Sequence, residues 1–558
     1  MSAGEWIALG LGALAAWALL AARAHLFLHL LQQEHYEIER LRIWVRRRGE
    51  RFSAPDVLPA TVTGCLLAVA FGLGSTAAAL AIGALGLAAA AARAQAVFRR
   101  PQLKPLVFTS RARRLFTLTL TLAALALAAP LIAGGLASAV VGALTLAAAA
   151  ALLVIFAPEL LAAANLILRP VQRADNARFE YRARRKLREV APTVIGITGS
   201  YGKTTTKGCV AQVANLVGPA LPTPASFNSY LGVIRTINEN LRPNHRTFIV
   251  EMGAYRRGDI AELCRLVEPR IGVLTAIGPA HLERFGSLRE TTLAKGELGE
   301  ALPADGVFVT RADDERCREA AERVRCPVRL FAPEPHPEAS AWAEDLRLHN
   351  GRTHFELCLG SGASATRHPV SARLLGKHNV ANLLAAAAVG VELGLAPEQI
   401  ARALGQVSPP EHRLAPIVNR AAGIVVIDDA YNANPSGAQS ALEVLATHPG
   451  SRRILVTPGM VELGDQEEIE NERFGAAAAA VCDVVVLVGE EQTVPIRRGL
   501  EGAGFPAGSL RIVANSSGAQ EFLAESSRAG DVILFENDLP DLYQRRTAGA
   551  GESAASAA

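Results

Sequence analysis

Cysteine is scarce in this chain and never closely paired. The seven cysteines, Cys65, Cys209, Cys264, Cys317, Cys326, Cys358 and Cys482, form no C-x-x-C. That points away from a zinc ribbon and from a disulfide framework, and towards reduced, half-buried thiols in a cytoplasmic domain. Net charge is nearly absent too: 57 Lys and Arg against 53 Asp and Glu, a formal +4. Such a balance gives no footing for a nucleic-acid partner.

Charge is also missing over long stretches. Residues 6–22, 57–92 and 115–158 carry no Asp, Glu, Lys or Arg. The second and third runs are each long enough for two crossings of a bilayer. "FGLGST" (71–76) and "APLIAGG" (129–135) supply breaks within them. Glu5 precedes the first run and no Lys or Arg does, so a cleaved signal peptide is not the expectation. The basic residues gather beside these runs, at 40–51, 99–114 and 169–188, while the turns near 74 and 133 have none. An N-terminus outside and about five spans put every basic segment in the cytoplasm, as the positive-inside rule requires. An Ala-rich soluble bundle would need polar faces at helical spacing, and these runs lack them. The expectation is a multi-pass protein of the cell membrane, in contact with membrane lipid, with its remaining domains cytoplasmic.

Past residue 190 the pattern changes. "TVIGITGS" (193–200) is a β-branched run ending in glycine, and "KTTTKGCVAQVANLVG" (203–218) reads as the following helix. Strand, Gly-rich turn and helix are the context a phosphate loop requires. The turn "TGSYGKTT" comprises Thr198, Gly199, Ser200, Tyr201, Gly202, Lys203, Thr204 and Thr205, the candidate ATP-binding loop. Gly199 and Gly202 let backbone N–H groups face phosphates, Lys203 would neutralise β/γ oxygens, and Thr204 would hold Mg²⁺.

These residues resemble the ATP loop of the Mur ligase family, which is related to folylpolyglutamate and cyanophycin synthetases. Further matches follow in the family's order: "FNSYLGV" (227–233), "FIVEMGAYRRGDIAELC" (248–264), "LTAIGPAHLERFGSLRETTLAKGEL" (274–298), "LLGKHNVANLLAAAAV" (374–389), "EHRLAP" (411–416) and "VVIDDAYNANPSGAQSAL" (425–442). "AHLERFGS" and "IDDAYNANP" are nearest to the branch that handles D-alanyl-D-alanine. The resemblance implies an ATP-dependent, ADP-forming amide ligase of cell-envelope synthesis, working through an acyl phosphate. It implies catalytic roles for Lys203, Glu251, His281 and Lys295. It implies Mg²⁺, two ions, held by Thr204, Glu251, His281 and, as N6-carboxylysine, Lys295. His378, Asn379, Arg413 and Asp429 would complete the ATP site, with Asn382 orienting its helix. Asn228 and Asn434 would meet substrate, and Tyr431 and Asn432 would shape the same interface.

The chain departs from the family in three places. Membrane spans stand where the family's small UDP-binding domain begins, so the carboxylate substrate is expected to be muramyl-peptide-like or lipid-linked. Arg311 replaces an Asn usual in that branch, and "GDVILFENDLPDLY" (530–543) replaces a Lys-Gly-Ser-Arg string that helps choose the incoming amine. The amine is therefore left open between D-alanyl-D-alanine and another amino acid or dipeptide. A poly-γ-glutamate-type polymerising ligase and a non-catalytic ATP-gated scaffold are the rival readings.

The expected architecture is a membrane α-helical domain (1–168), a basic linker (169–189), a central P-loop parallel-sheet ATPase domain (190–407), a C-terminal Rossmann-like α/β domain (408–545) and a disordered tail (546–558). "GIVVIDD", "RRILVTPG", "CDVVVLVG" and "GDVILFEN" are the strands expected in the C-terminal domain. No G-x-G-x-x-G follows the first of them, so NAD is not implied.

Overall fold

The structure is a computed structural model. It describes residues 1–34, 36–47, 54–99, 106–279, 282–349, 351–431, 433–448, 450, 452–461 and 463–538. The expected tail (546–558) lies outside the described residues. Two compact units divide between Ala177 and Arg178.

The first unit is helical: α1 (Ala3–Gln33), α2 (Ile38–Arg47), α3 (Ala54–Gly72), α4 (Thr76–Phe98), α5 (Ser110–Ala137), α6 (Ala139–Ile155) and the first part of α7 (Ala157–Val190). Side-chain caps start several of them. The Ser2 hydroxyl accepts from the Glu5 N–H while the Glu5 carboxylate accepts from the Ser2 N–H, and Ser75, Thr109 and Ser138 cap α4, α5 and α6. Small residues let the helices approach closely. A Cβ on Gly64 of α3 would come within 2.9 Å of the Ala147 Cα of α6, the contact that apolar helices use in place of a hydrophobic driving force.

The five expected apolar runs do form helices, α1, α3, α4, α5 and α6. Fewer of them have the length and composition to cross a bilayer. Among the described residues three helices qualify, Ala3–Gln33, Thr76–Phe98 and Ser110–Ala129, or four if the pair Ala139–Ile155 and Ala157–Val190, bent by 73°, is one span. Among the described residues the apolar part of α3 is Thr61–Gly72. The expected basic linker is helical. Residues 169–189 belong to α7, whose charges pair along the helix, Arg184 with Glu180 and Arg185 with Glu189, each at 2.8 Å.

The second unit holds two sheets. In the first, β1 (Thr193–Thr198), β2 (Ala220–Pro222), β3 (Thr247–Glu251), β4 (Ile271–Leu274), β5 (Val307–Arg311), β6 (Val328–Ala332), β7 (Ala341–His349), β8 (Arg352–Leu359) and β9 (Thr366–Ala372) lie in the order β2, β3, β1, β4, β5, β6, β7, β8, β9. Pairing is parallel as far as β7; β8 and β9 then add an antiparallel meander. Between these strands run α8 (Lys203–Ala214), α9 (Tyr230–Asn240), α10 (Asp259–Val267), α11 (Leu282–Phe285), α12 (Leu288–Glu300) and α13 (Glu315–Ala321), with α14 (Lys377–Glu392) and α15 (Pro397–Gly405) after them. β1 and β3 read as near-continuous apolar runs because both faces are covered. One core cluster joins the sheet to α8, α14 and α15, and another joins it to α9, α10 and α12.

The second sheet takes up after Gly405. It comprises β10 (Ala415–Asn419), β11 (Ile424–Asp429), β12 (Arg452–Thr457), β13 (Val484–Val488), β14 (Leu510–Val513) and β15 (Asp531–Glu536), in the order β10, β11, β15, β12, β13, β14. Only the β10–β11 pair is antiparallel. Helices α16 (Pro435–Thr447), α17 (Glu467–Ala479), α18 (Val494–Gly502) and α19 (Ser516–Ser526) complete the fold. Both sheets therefore end several parallel strands at one edge, where α/β proteins place their ligands.

Candidate active site

The loop between β1 and α8 is built by two glycines. Gly202 caps α8 at φ +78°, and a Cβ there would run into the Asn382 side-chain oxygen; Gly199 sits at φ +152° with Thr275 against it. An L side chain at either place would strain the backbone and collide. The loop is pinned from behind. Ser200 Oγ donates to the Gly278 carbonyl and accepts from its N–H, both at 3.0 Å, and Thr198 Oγ1 donates to the Met252 carbonyl at 2.9 Å. Lys203 folds its Nζ back over the loop, 2.7 Å from the Gly199 carbonyl and 3.2 Å from that of Ser200. Burial lowers its proton affinity, Glu251 opposes that and Arg413 adds to it.

Glu251, at the end of β3 beside β1, is the centre of the arrangement and is 1% exposed. Its Oε2 accepts from Thr204 Oγ1 at 3.0 Å and from Lys207 Nζ at 2.9 Å; its Oε1 accepts from Asn228 Nδ2 at 3.1 Å. Burial alone would raise the carboxyl's proton affinity. The charges on Lys207 and Lys203, with the bonds from Lys207 and Asn228, outweigh it and hold the group below the usual carboxylate range. Thr204 and Glu251 thus bring a hydroxyl and a carboxylate oxygen together at the phosphate loop, the hard-oxygen donor set that suits Mg²⁺. His281 lies outside the described residues. Among those described, no cluster of three or more His, Cys, Asp or Glu forms a metal site.

Lys295 of α12 is 2% exposed. Its ammonium has the Phe285 ring 5.6 Å away and Lys203 near enough to repel it. Burial first, and Lys203 second, push its proton affinity well below that of an ordinary lysine.

The adenine-side residues divide. The Asn379 amide donates to the Leu375 carbonyl at 2.7 Å and accepts from Asn382, whose own oxygen accepts from Thr206 Oγ1 at 2.9 Å. Asn382 thus ties α14 to α8, and Asn379 braces it from the start of α14. His378 keeps an unbonded, buried Nδ1, and burial, with Arg413 nearby, lowers its pKa to about 4. The ring is neutral at physiological pH.

From the second sheet come Arg413, stacked 4.1 Å over the Tyr431 ring, and Asp429, which accepts from the Leu414 N–H at 3.0 Å. Tyr431 Oη reaches Ser226 Oγ at 2.6 Å and so links the C-terminal sheet to the central one. Asn434 has a structural position: it caps α16 by accepting from the Gly437 N–H at 2.9 Å. Asn432 lies outside the described residues. Arg311, the branch's Asn position, is held by Asp313 through two bonds, at 2.9 and 2.5 Å.

Comparison with known proteins fits this geometry. A family model described as the Mur ligase middle domain matches residues 197–390, and one described as the Mur ligase, glutamate ligase domain matches 412–536. UDP-N-acetylmuramoyl-tripeptide–D-alanyl-D-alanine ligase of Mycobacterium leprae is 35% identical over 369 residues, 62% of this chain and 70% of that protein. The chain belongs to the Mur ligase family. A Bacillus subtilis relative of the same name is 32% identical, covering 63% of this chain and 75% of its own. Among solved structures, the MurF ligase from Thermotoga maritima in complex with ADP matches with a TM-score of 0.57 and 26% identity, over 65% of this Mur ligase and 80% of that chain.

Two residues of this Mur ligase's site escape motif reasoning. Lys207 follows Lys203 by one helical turn, and that spacing on α8 was the available signal. Glu536 ends β15 in register with Asp429. It is 1% exposed, and neither of its oxygens receives a hydrogen bond. Burial first, then Asp429, raise its proton affinity well above the ordinary carboxylate value, and Asp429 itself is pushed up to about 6. A bond between the two acids forms only when one of them holds a proton.

Proposed function

We propose that the chain is a membrane-anchored, ATP-dependent, ADP-forming ligase of peptidoglycan precursor synthesis. On this reading it joins D-alanyl-D-alanine to a muramyl-tripeptide carboxylate, presented at the membrane and lipid-linked or carried on UDP. The observation that carries it is the junction of Lys203, Thr204 and Glu251 at the phosphate loop, in a chain whose relatives bear that activity in their names. Three long apolar helices in the first unit support the anchoring.

Amide formation from a carboxylate is uphill, and the site must hold a triphosphate against an acid of like charge. Lys203 releases its two loop carbonyls and takes up the terminal phosphate charge. Thr204 and Glu251 would hold Mg²⁺, which would supply charge neutralisation where nucleotide and carboxylate meet. Arg413 adds a planar cation for the phosphate oxygens. His378, neutral and with a free ring nitrogen, faces the base. Lys295 as a free amine is the form that adds CO₂: its nitrogen bonds the carbon, one proton leaves, and the resulting carbamate is an anion able to hold metal. Asn228 stays with Glu251 and keeps the carboxylate turned towards Thr204.

The test uses the full chain in detergent micelles with ATP, Mg²⁺ and D-alanyl-D-alanine. UDP-N-acetylmuramoyl-tripeptide is offered in one arm and a lipid-linked muramyl-tripeptide in the other. ADP release with a product heavier by one dipeptide is expected in at least one arm. A ladder of products would mean polymerisation, and no ADP in either arm would sink the proposal.

A further inference from the structure

The phosphate loop already contains a cation where a metal is needed. Lys207 Nζ lies 2.9 Å from Glu251 Oε2, the oxygen that also receives the Thr204 hydroxyl. Lys207 is 5% exposed and Glu251 1% exposed, so neither end of the pair is relieved by solvent. The ammonium has a second acceptor, the carbonyl of Ala225. Ala225 is held at φ +43°, a left-handed backbone that a residue with a Cβ seldom adopts. Strain of this kind persists where the surroundings impose it, and here it turns a carbonyl towards a lysine.

A divalent ion coordinated by Thr204 and Glu251 would share Oε2 with that ammonium. Two cations a few ångströms apart in a dry site repel strongly. With the Ala225 carbonyl beside it, the ammonium has an acceptor to keep when the carboxylate oxygen is taken. Resting on the reading of Glu251 as a metal ligand, we propose that Lys207 is the resident cation of Glu251 in the nucleotide-free enzyme and excludes divalent metal from it. Metal then enters together with the nucleotide, whose phosphate charge repays the displacement of Lys207 onto Ala225. Lys207 is on this view a positioning residue, which keeps a buried carboxylate ionised and correctly turned between turnovers.

The test reads metal binding directly, by electron paramagnetic resonance of free Mn²⁺ over the full chain in detergent micelles. The wild type should take up Mn²⁺ at least about tenfold more tightly with ADP than without it, after correction for Mn²⁺ held by ADP alone. In Lys207→Met the nucleotide-free protein should gain that affinity, and Glu251→Gln in the same background should lose it. Lys207→Gln, which keeps a donor for the Ala225 carbonyl, is measured beside it in case the methionine variant does not fold. Lys207→Arg should behave as the wild type. Equal wild-type affinities with and without ADP, or a gap that persists in a folded Lys207→Met or Lys207→Gln protein, would overturn the proposal. A wild type that takes up no Mn²⁺ even with ADP would instead defeat the metal reading of Glu251, and this proposal with it.

Discussion

Glu251 and Glu536 are the same residue type, equally buried, each closing a parallel strand at the edge where its sheet would meet ligand. Their surroundings are opposite. Glu251 receives bonds from a hydroxyl, an ammonium and an amide, and is held ionised. Glu536 receives none and has another acid in register beside it, and burial with that acid raises its proton affinity. Burial by itself therefore does not set the charge of a carboxyl group; the donors supplied by neighbouring elements do. In the first sheet α8 supplies two of them, Thr204 and Lys207. In the second, β11 brings Asp429 instead.

The sharpest way to break this contrast is to remove the charge from Glu251. Glu251→Gln keeps the shape and an acceptor but leaves the Lys207 ammonium buried without a counter-ion. Ligation, followed as ADP release, should fall about 10³-fold, the scale expected when metal-borne charge stabilisation is lost. The folded state should lose about 3–5 kcal/mol, because one partner of a buried pair has been removed. Unchanged turnover would show that Glu251 is structural.

Lys295 tests the next step, since it is a buried lysine whose proton affinity is lowered by burial and by Lys203. Lys295→Met should cut turnover about 10²-fold or more, on the scale of one lost stabilising group, while leaving stability equal or higher because a desolvated amine is gone. Wild-type activity should fall in CO₂-depleted buffer and return with bicarbonate. Lys295→Met activity should not respond to bicarbonate, and a wild type indifferent to bicarbonate would argue against the carbamate.

Much of this was legible in the residues. The phosphate loop and the strand of Glu251 follow from β-branched runs that meet glycine, and four strands of the second sheet from the same signal. Other features were not. The β7–β9 meander carries polar and charged positions such as Glu344, Asp345 and Arg347 that hide its strand character. The helical character of 169–189 lies in pairs four residues apart, Glu180 with Arg184 and Arg185 with Glu189, which an apolar-run reading passes over. Asn434 before Pro435 carries the signature of a helix cap, and the structure puts it there. Lys207 and Glu536 take their meaning from partners 44 and 107 positions away, Glu251 and Asp429, and no local pattern announces a pairing across strands.

The smallest expected effect comes from the other side of the contrast. Asp429 has an ordinary value of 3.8 and is raised to about 6 in the folded protein. Below the lower value both folded and unfolded chains hold the proton, and the pair costs nothing. As pH rises from 3.8 towards 6 the unfolded chain releases a proton that the folded one retains, so stability declines across that window and the cost persists at neutral pH. Glu536→Gln removes the second acid and offers Asp429 an amide donor. It should therefore raise the melting temperature by a few degrees near pH 7, corresponding to about 1–3 kcal/mol, and leave it unchanged near pH 4. A variant that melts lower at neutral pH would mean that the shared proton holds the second sheet together. The two buried glutamates would then differ in how they stabilise the fold, not in whether they do.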